Sequence, residues 1–123
     1  MLEGELTEAI LKCAIEVHRI LGPGLLESAY EECLCHELEL SSIAFERQKA
    51  LPIKYKGKLL DCSYRIDLFI EGRVIIELKS VEKILPVHEA QLLTYLKLTG
   101  TKTGLILNFN APLLKDGLRR LVL

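Results

Sequence analysis

The segment Arg65-Ile66-Asp67-Leu68-Phe69-Ile70-Glu71-Gly72-Arg73-Val74-Ile75-Ile76-Glu77-Leu78-Lys79 constrains the fold more than any other part of the chain. Two apolar, β-branched runs flank Glu71-Gly72-Arg73, a tripeptide suited to a hairpin turn, and an acid sits toward the far end of each run. If those residues form the turn, Ile70 pairs with Val74. Counting outward then sets Asp67 opposite Glu77, with both side chains on one face. Lys79 shares that face, whereas Ile66, Leu68, Ile70, Val74, Ile76 and Leu78 line the other. Adjacent carboxylates repel, and an unpaired one buried in so apolar a strand is strongly unfavourable, so something positive must lie between them. A divalent cation such as Mg²⁺ or Mn²⁺ suits hard oxygen ligands at such a corner. The alternative is an internal ion pair of Asp67 or Glu77 with Lys79 or Arg65 that serves only to fix strand register.

The surroundings of this hairpin read as a single layered domain. From Glu5 to Leu21, the residues Leu6, Ala9, Ile10, Cys13, Ala14, Val17, Ile20 and Leu21 recur at helical spacing, and Gly22-Pro23-Gly24 ends the run. A second helix is expected over residues 25–40. It buries Leu25, Leu26, Ala29, Tyr30, Cys33, Leu34 and Leu38, turns Glu31, Glu32 and Glu39 to water, and leaves Glu27 at the border of the stripe. Strands are expected at 43–55, 59–70 and 73–79, with a first turn at Lys56-Gly57-Lys58. A third helix spans residues 87–99 and is closed by Gly100, followed by a buried strand over 103–109 and a tail strand over 118–123. On that third helix His88, Gln91 and Tyr95 project from one side, while Ala90, Leu92, Leu93 and Leu96 supply the packing surface. An antiparallel meander followed by a helical crossover implies an α/β fold with a mixed sheet and helices on its faces.

Composition removes several classes of function. Half of the 123 residues are hydrophobic and there is no repeat or low-complexity tract, so one domain over residues 1–123 is expected. A net charge of −1 supplies no global attraction to nucleic acid, so any such role needs a local basic surface or a metal ion. Cys13, Cys33, Cys35 and Cys62 form no CxxC pair, which argues against structural zinc and for reduced, mostly buried thiols. No apolar run reaches the roughly 18 residues of a membrane span, and Met1-Leu2-Glu3-Gly4-Glu5 is acidic where a secretory signal is basic, so a cytoplasmic protein without a membrane partner is expected.

Beyond the hairpin, Gly24-Leu25-Leu26-Glu27-Ser28-Ala29-Tyr30 matches a GxxExxY signature, preceded by His18-Arg19-Ile20-Leu21-Gly22-Pro23-Gly24. Together with Ile76-Glu77-Leu78-Lys79 and Gln91-Leu92-Leu93-Thr94-Tyr95-Leu96, these stretches make the whole chain resemble the GxxExxY protein family of the PD-(D/E)xK nuclease superfamily. The resemblance implies a restriction-endonuclease-like three-layer α/β/α fold, a central mixed sheet flanked by helices in the order ααβββαββ. It implies a metal-dependent nuclease acting on nucleic acid, DNA in particular, with Mg²⁺ or Mn²⁺ as cofactor. Asp67 matches the acid before the hairpin turn and Glu77-Leu78-Lys79 the ExK, while Glu27 matches the first-helix acid and Gln91 with Tyr95 the QxxxY of RecB-like nucleases. The implied metal ligands are Asp67, Glu77, the Leu78 carbonyl and Glu27. Lys79 would orient water, Gln91 would position Lys79 or a phosphate, and Tyr95 would bond the substrate backbone. The chain departs from the pattern at Arg65-Ile66-Asp67, which has no proline before the acid, as in many superfamily members.

Two further expectations concern surface and partners. Lys49, Lys54, Lys56 and Lys58 form the densest basic cluster, either a substrate contact or a solvated hairpin tip that blunts a sheet edge. Tyr30, His18 and His88 are read as structural groups. A homodimer or a partner protein is compatible with so short a chain. The competing class is a non-catalytic nucleic-acid-binding or assembly module that retains the nuclease fold.

Overall fold

The computed structural model describes residues 1–123. Two helices, α1 (Glu3–Leu21) and α2 (Glu27–Leu40), precede five strands: β1 (Phe45–Ala50), β2 (Ile53–Tyr55), β3 (Lys58–Leu60), β4 (Arg65–Ile70) and β5 (Val74–Lys79). Helix α3 (Pro86–Thr99), β6 (Thr103–Asn108), a 3-10 turn (Leu114–Gly117) and β7 (Leu118–Val122) complete the chain. The main sheet has the order β1-β4-β5-β6-β7 and is mixed. The pair β5–β6 is parallel across the α3 crossover, and every other neighbouring pair is antiparallel. The helices and main-sheet strands follow the order ααβββαββ, but the long strands expected at 43–55 and 59–70 are each divided. Pro52 cannot donate to a ladder and ends the first. Ser63, at φ 62°, turns the chain between β3 and β4. The freed segments pair with each other as a separate β2–β3 hairpin, closed by Lys56 and Gly57 at φ 48° and 80°, a turn whose twist matches its strands.

Two apolar layers hold the sheet. Against one face, α1 and α2 pack Leu6, Ile10, Val17, Tyr30, Leu34 and Leu38 onto Leu68, Ile70, Val74, Ile76, Leu105 and Leu107. Against the other, α3 packs Leu92, Tyr95 and Leu96 onto Ile66, Ile75 and Ile106. Ile66 therefore lies on the α3 side, away from Leu68, correcting the simple alternation expected for β4. The break falls at Asp67 and at Gln48 between the flanking β1–β4 pairs, and Gln48 adopts a left-handed φ of 51°. Ile20, Leu25 and Leu26 are exposed rather than buried, because Gly22-Pro23-Gly24 turns the chain before α2 begins at Glu27. All four cysteines are free; Cys13 and Cys35 are buried, Cys33 is half-buried and Cys62 is exposed. No helix is long and apolar enough to cross a membrane.

Tyr30 explains the turn between α1 and α2. Its ring is fully buried and stacks on Phe109 at 4.6 Å. Its hydroxyl donates to the Gly22 carbonyl at 2.6 Å and accepts from the Leu25 N–H at 3.1 Å. Ser80 donates to the Leu25 carbonyl at 2.6 Å, which ties the start of α2 to the chain leaving β5. Tyr30→Phe keeps the stack and removes both hydroxyl bonds, so urea denaturation should show a loss of about 1–2 kcal/mol. An unchanged midpoint would contradict this role.

Candidate active site

The β4–β5 ladder runs from Ile70↔Val74 to Leu68↔Ile76 and ends there. Beyond it, two side chains take over the hydrogen bonding. The Asp67 N–H donates to Glu77 Oε2 at 2.9 Å, and the Leu78 N–H donates to Asp67 Oδ2 at 2.8 Å. The two acids clasp each other's strand at the position where backbone pairing stops. In an antiparallel strand the N–H and carbonyl of a hydrogen-bonding residue face the same neighbour, so the Leu78 carbonyl opens toward this gap as well.

Burial sets the electrostatics. Glu77 is only 5% exposed. Its carboxyl is pushed up to about 8, first by loss of water and then by the neighbouring Asp67 charge, with the Asp67 N–H and Lys79 opposing. Asp67 is also raised, chiefly by burial and further by Glu31, against the Leu78 N–H, Gln48 and Lys79. Neither acid forms an ion pair with Lys79 or Arg65; the cationic partners of carboxylates in this protein are Arg19, Arg47, Lys49 and Arg119. The internal ion-pair arrangement is therefore not the one adopted.

The remaining candidates sit at different depths. Lys79 follows on the same strand face and draws both carboxyls toward the charged form. Tyr95 is buried on α3, and its hydroxyl is pushed up to about 12 by burial, then by Glu77, Tyr64 and Asp67, which places it beside the pair. Gln91 lies one helical turn earlier and opens onto a cavity that Tyr95 also lines. Glu27 is exposed at the first turn of α2 and reaches Glu77 only through its field. His88 accepts from the Leu85 N–H at 3.0 Å, and His18 bonds the Ala111 carbonyl at 2.8 Å. Both histidines hold backbone.

Three contributors are not visible in the sequence pattern. Glu31, expected to face water, is 8% exposed; it accepts from Arg47 Nε at 2.8 Å and from Gln48 Nε2 at 2.6 Å. Gln48 Nε2 also approaches Asp67 Oδ1 at 3.2 Å, so α2 is linked to the acid pair through Gln48. The available signal is the four-residue spacing from Glu27 to Glu31, which places them on one helix face. Asn108, at the end of β6, accepts from the Val81 N–H at 3.1 Å and donates to the Val81 carbonyl at 2.9 Å, anchoring the chain just after Lys79.

A family model for the PD-(D/E)XK nuclease superfamily matches residues 4–121. The chain belongs to that superfamily. No curated protein and no solved structure gives a significant match. Nucleases of this superfamily typically use divalent metals, and the donor set here fits such an ion. A buried and a half-buried carboxylate, both with raised pKa values and neither ion-paired with a protein cation, supply hard oxygens beside the Leu78 carbonyl. No three Asp, Glu, His or Cys side chains cluster as a metal cage. A hydrated divalent ion needs fewer protein ligands than such a cage, with water and substrate oxygens completing its shell.

The raised carboxyl makes the stability of the metal-free PD-(D/E)XK domain pH-dependent. Folding binds the Glu77 proton more tightly than the unfolded chain does, so this stabilisation is complete below the ordinary glutamate value and is lost as pH rises through about 8. Glu77→Gln removes the titration. In EDTA, its stability relative to wild type should rise between pH 5 and pH 9 by about 1–3 kcal/mol. A difference that stays constant over that range would contradict the burial account.

Proposed function

We propose that this PD-(D/E)XK superfamily member is a metal-dependent nuclease that hydrolyses phosphodiester bonds, with DNA as its substrate. The observation that carries the reading is the Asp67–Glu77 clasp, a half-buried and a buried acid held together without an ion pair to any protein cation. Asp67, Glu77 and the Leu78 carbonyl would hold a divalent cation. When bound, such an ion lowers the pKa of its water and offsets charge developing on the phosphorus oxygens.

The chain's own groups account for the rest of the chemistry. Lys79 is a flexible point charge one residue beyond Leu78 that would orient the attacking water or stabilise the charge on the phosphorus oxygens. Gln91 carries both a donor and an acceptor to position Lys79 or the phosphate. Tyr95 keeps its proton over the working range and donates it in a hydrogen bond to the substrate backbone. Glu27, at the rim, would hold the hydrated outer shell or a second ion. The motif spanning Gly24 to Tyr30 supports the narrower GxxExxY likeness, in which Tyr30 and the glycine turn present Glu27.

Single- and double-stranded DNA and RNA should be incubated with Mg²⁺ or Mn²⁺. Wild type should cleave at least one of them, and Glu77→Gln and Lys79→Ala should each lower the rate by about 100-fold or more. Cleavage that survives both substitutions would refute the assignment. A folded, metal-loaded protein that binds oligonucleotide yet leaves every substrate intact would mark a binding module instead.

A further inference from the structure

Beside the acid pair, a cavity of about 520 Å³ lies between the β2–β3 hairpin and α3, lined by Ile53, Cys62, Tyr64, Gln91, Thr94 and Tyr95 among others. Its walls are mostly apolar with a few polar tips, the composition of a seat for a flat, heteroatom-edged ring. Tyr64 meets Tyr95 edge-on, with ring centres 6.2 Å apart, and is 43% exposed, so ring surface is left open. The Tyr64 position is fixed in advance: its carbonyl accepts from the Leu51 N–H at 3.0 Å, and the preceding turn is held by the Ser63 N–H on Asp61 Oδ1 at 2.9 Å. Gln91 offers an amide to a ring edge, and Tyr95 joins this cavity to the acids.

The hairpin that forms the outer wall carries Lys54, Lys56 and Lys58 in a chain whose net charge is −1. None of the three forms an ion pair with a carboxylate. Between them Tyr55 is 61% exposed, with the Lys56 ammonium 5.7 Å from its ring centre. Three unneutralised cations around one exposed aromatic ring, next to the open face of Tyr64, complement a polyphosphate chain with unstacked bases rather than a peptide or a neutral ligand. A duplex has to unpair and unstack a base before it can place one in this cavity, whereas a single strand does not.

We propose that the cavity seats one unstacked nucleobase of a single-stranded polynucleotide on Tyr64, while Lys54, Lys56 and Lys58 track the adjoining phosphates. The inference deepens the nuclease reading, and rests on it for the direction of the strand toward Asp67 and Glu77. It makes the protein selective for single strands or frayed ends through strand state, with no reading of base identity.

The test is fluorescence anisotropy with a labelled single-stranded 12-nucleotide DNA and its duplex, in EDTA so that cleavage does not compete. Wild type should bind the single strand at least about 10-fold tighter than the duplex. Tyr64→Ala should weaken single-strand binding by about 10-fold and leave duplex binding unchanged, and Tyr64→Trp should preserve it. Replacing Lys54, Lys56 and Lys58 together by alanine should weaken both and reduce the slope of log affinity against log salt by about 2. The single strand should also slow alkylation of Cys62 by N-ethylmaleimide, read by peptide mass spectrometry. Equal affinity for both DNAs, no measurable binding of either, or a Tyr64→Ala protein that binds normally would overturn the seat. Cleavage without Tyr64 dependence would remove this inference alone, whereas Tyr64-dependent binding without cleavage would keep the seat and remove the nuclease.

Discussion

The structure turns on an exchange of hydrogen bonds between two strands at the point where their backbone ladder ends. Asp67 gives its N–H to the Glu77 carboxylate, and the Asp67 carboxylate takes the N–H of Leu78. A pair of like charges with one member buried and the other half-buried is unfavourable in itself, and the apolar layers on both faces of the sheet make it more so. The arrangement persists because each carboxylate satisfies a backbone donor that would otherwise be unpaired, and because one acid can retain its proton until something more positive arrives. Catalytic sites commonly hold titratable groups in this poised state.

The remaining elements bring other groups to that point by separate routes. Tyr30 and Ser80 fix the turn before α2 against the end of β5, which sets Glu27 at the rim. Arg47 and Gln48 draw Glu31 inward, so the only charged α2 side chain in the buried set is compensated and touches Asp67 through an amide. Asn108 pins the chain leaving Lys79, and α3 lowers Tyr95 onto the opposite side of the pair. Within this PD-(D/E)XK superfamily scaffold, the acid pair has no ion pair with any Lys or Arg of the chain.

The hairpin register was legible because a three-residue turn and a side-chain period of two leave one pairing, and the observed Ile70↔Val74 is that pairing. The helices were legible from the spacing of Leu6, Ile10, Val17, Leu34 and Leu38. Local pattern does not carry long-range compensation. Glu31 reads as a solvent-facing acid until Arg47 and Gln48 fold against it, and Ile66 changes layers where the β1–β4 pairing skips Gln48, which adopts a positive φ. Pro52 is the local signal that divides the expected 43–55 strand, because it cannot donate to a ladder and so separates β1 from the small hairpin. The proximity of Asp67 and Glu77 follows from counting, whereas the reciprocal bonds to backbone, which explain how Glu77 can be buried beside Asp67, arise only in the folded chain.

The most direct measurement is a Mn²⁺ titration followed by electron paramagnetic resonance of the free ion, on wild type, Asp67→Asn and Glu77→Gln. If the clasped acids are a cation site, wild type binds Mn²⁺ saturably and Mg²⁺ competes, while each variant loses that binding and keeps its folded circular dichroism spectrum. Wild-type protein that takes up no Mn²⁺, or folded variants that take it up undiminished, would contradict the account at its centre.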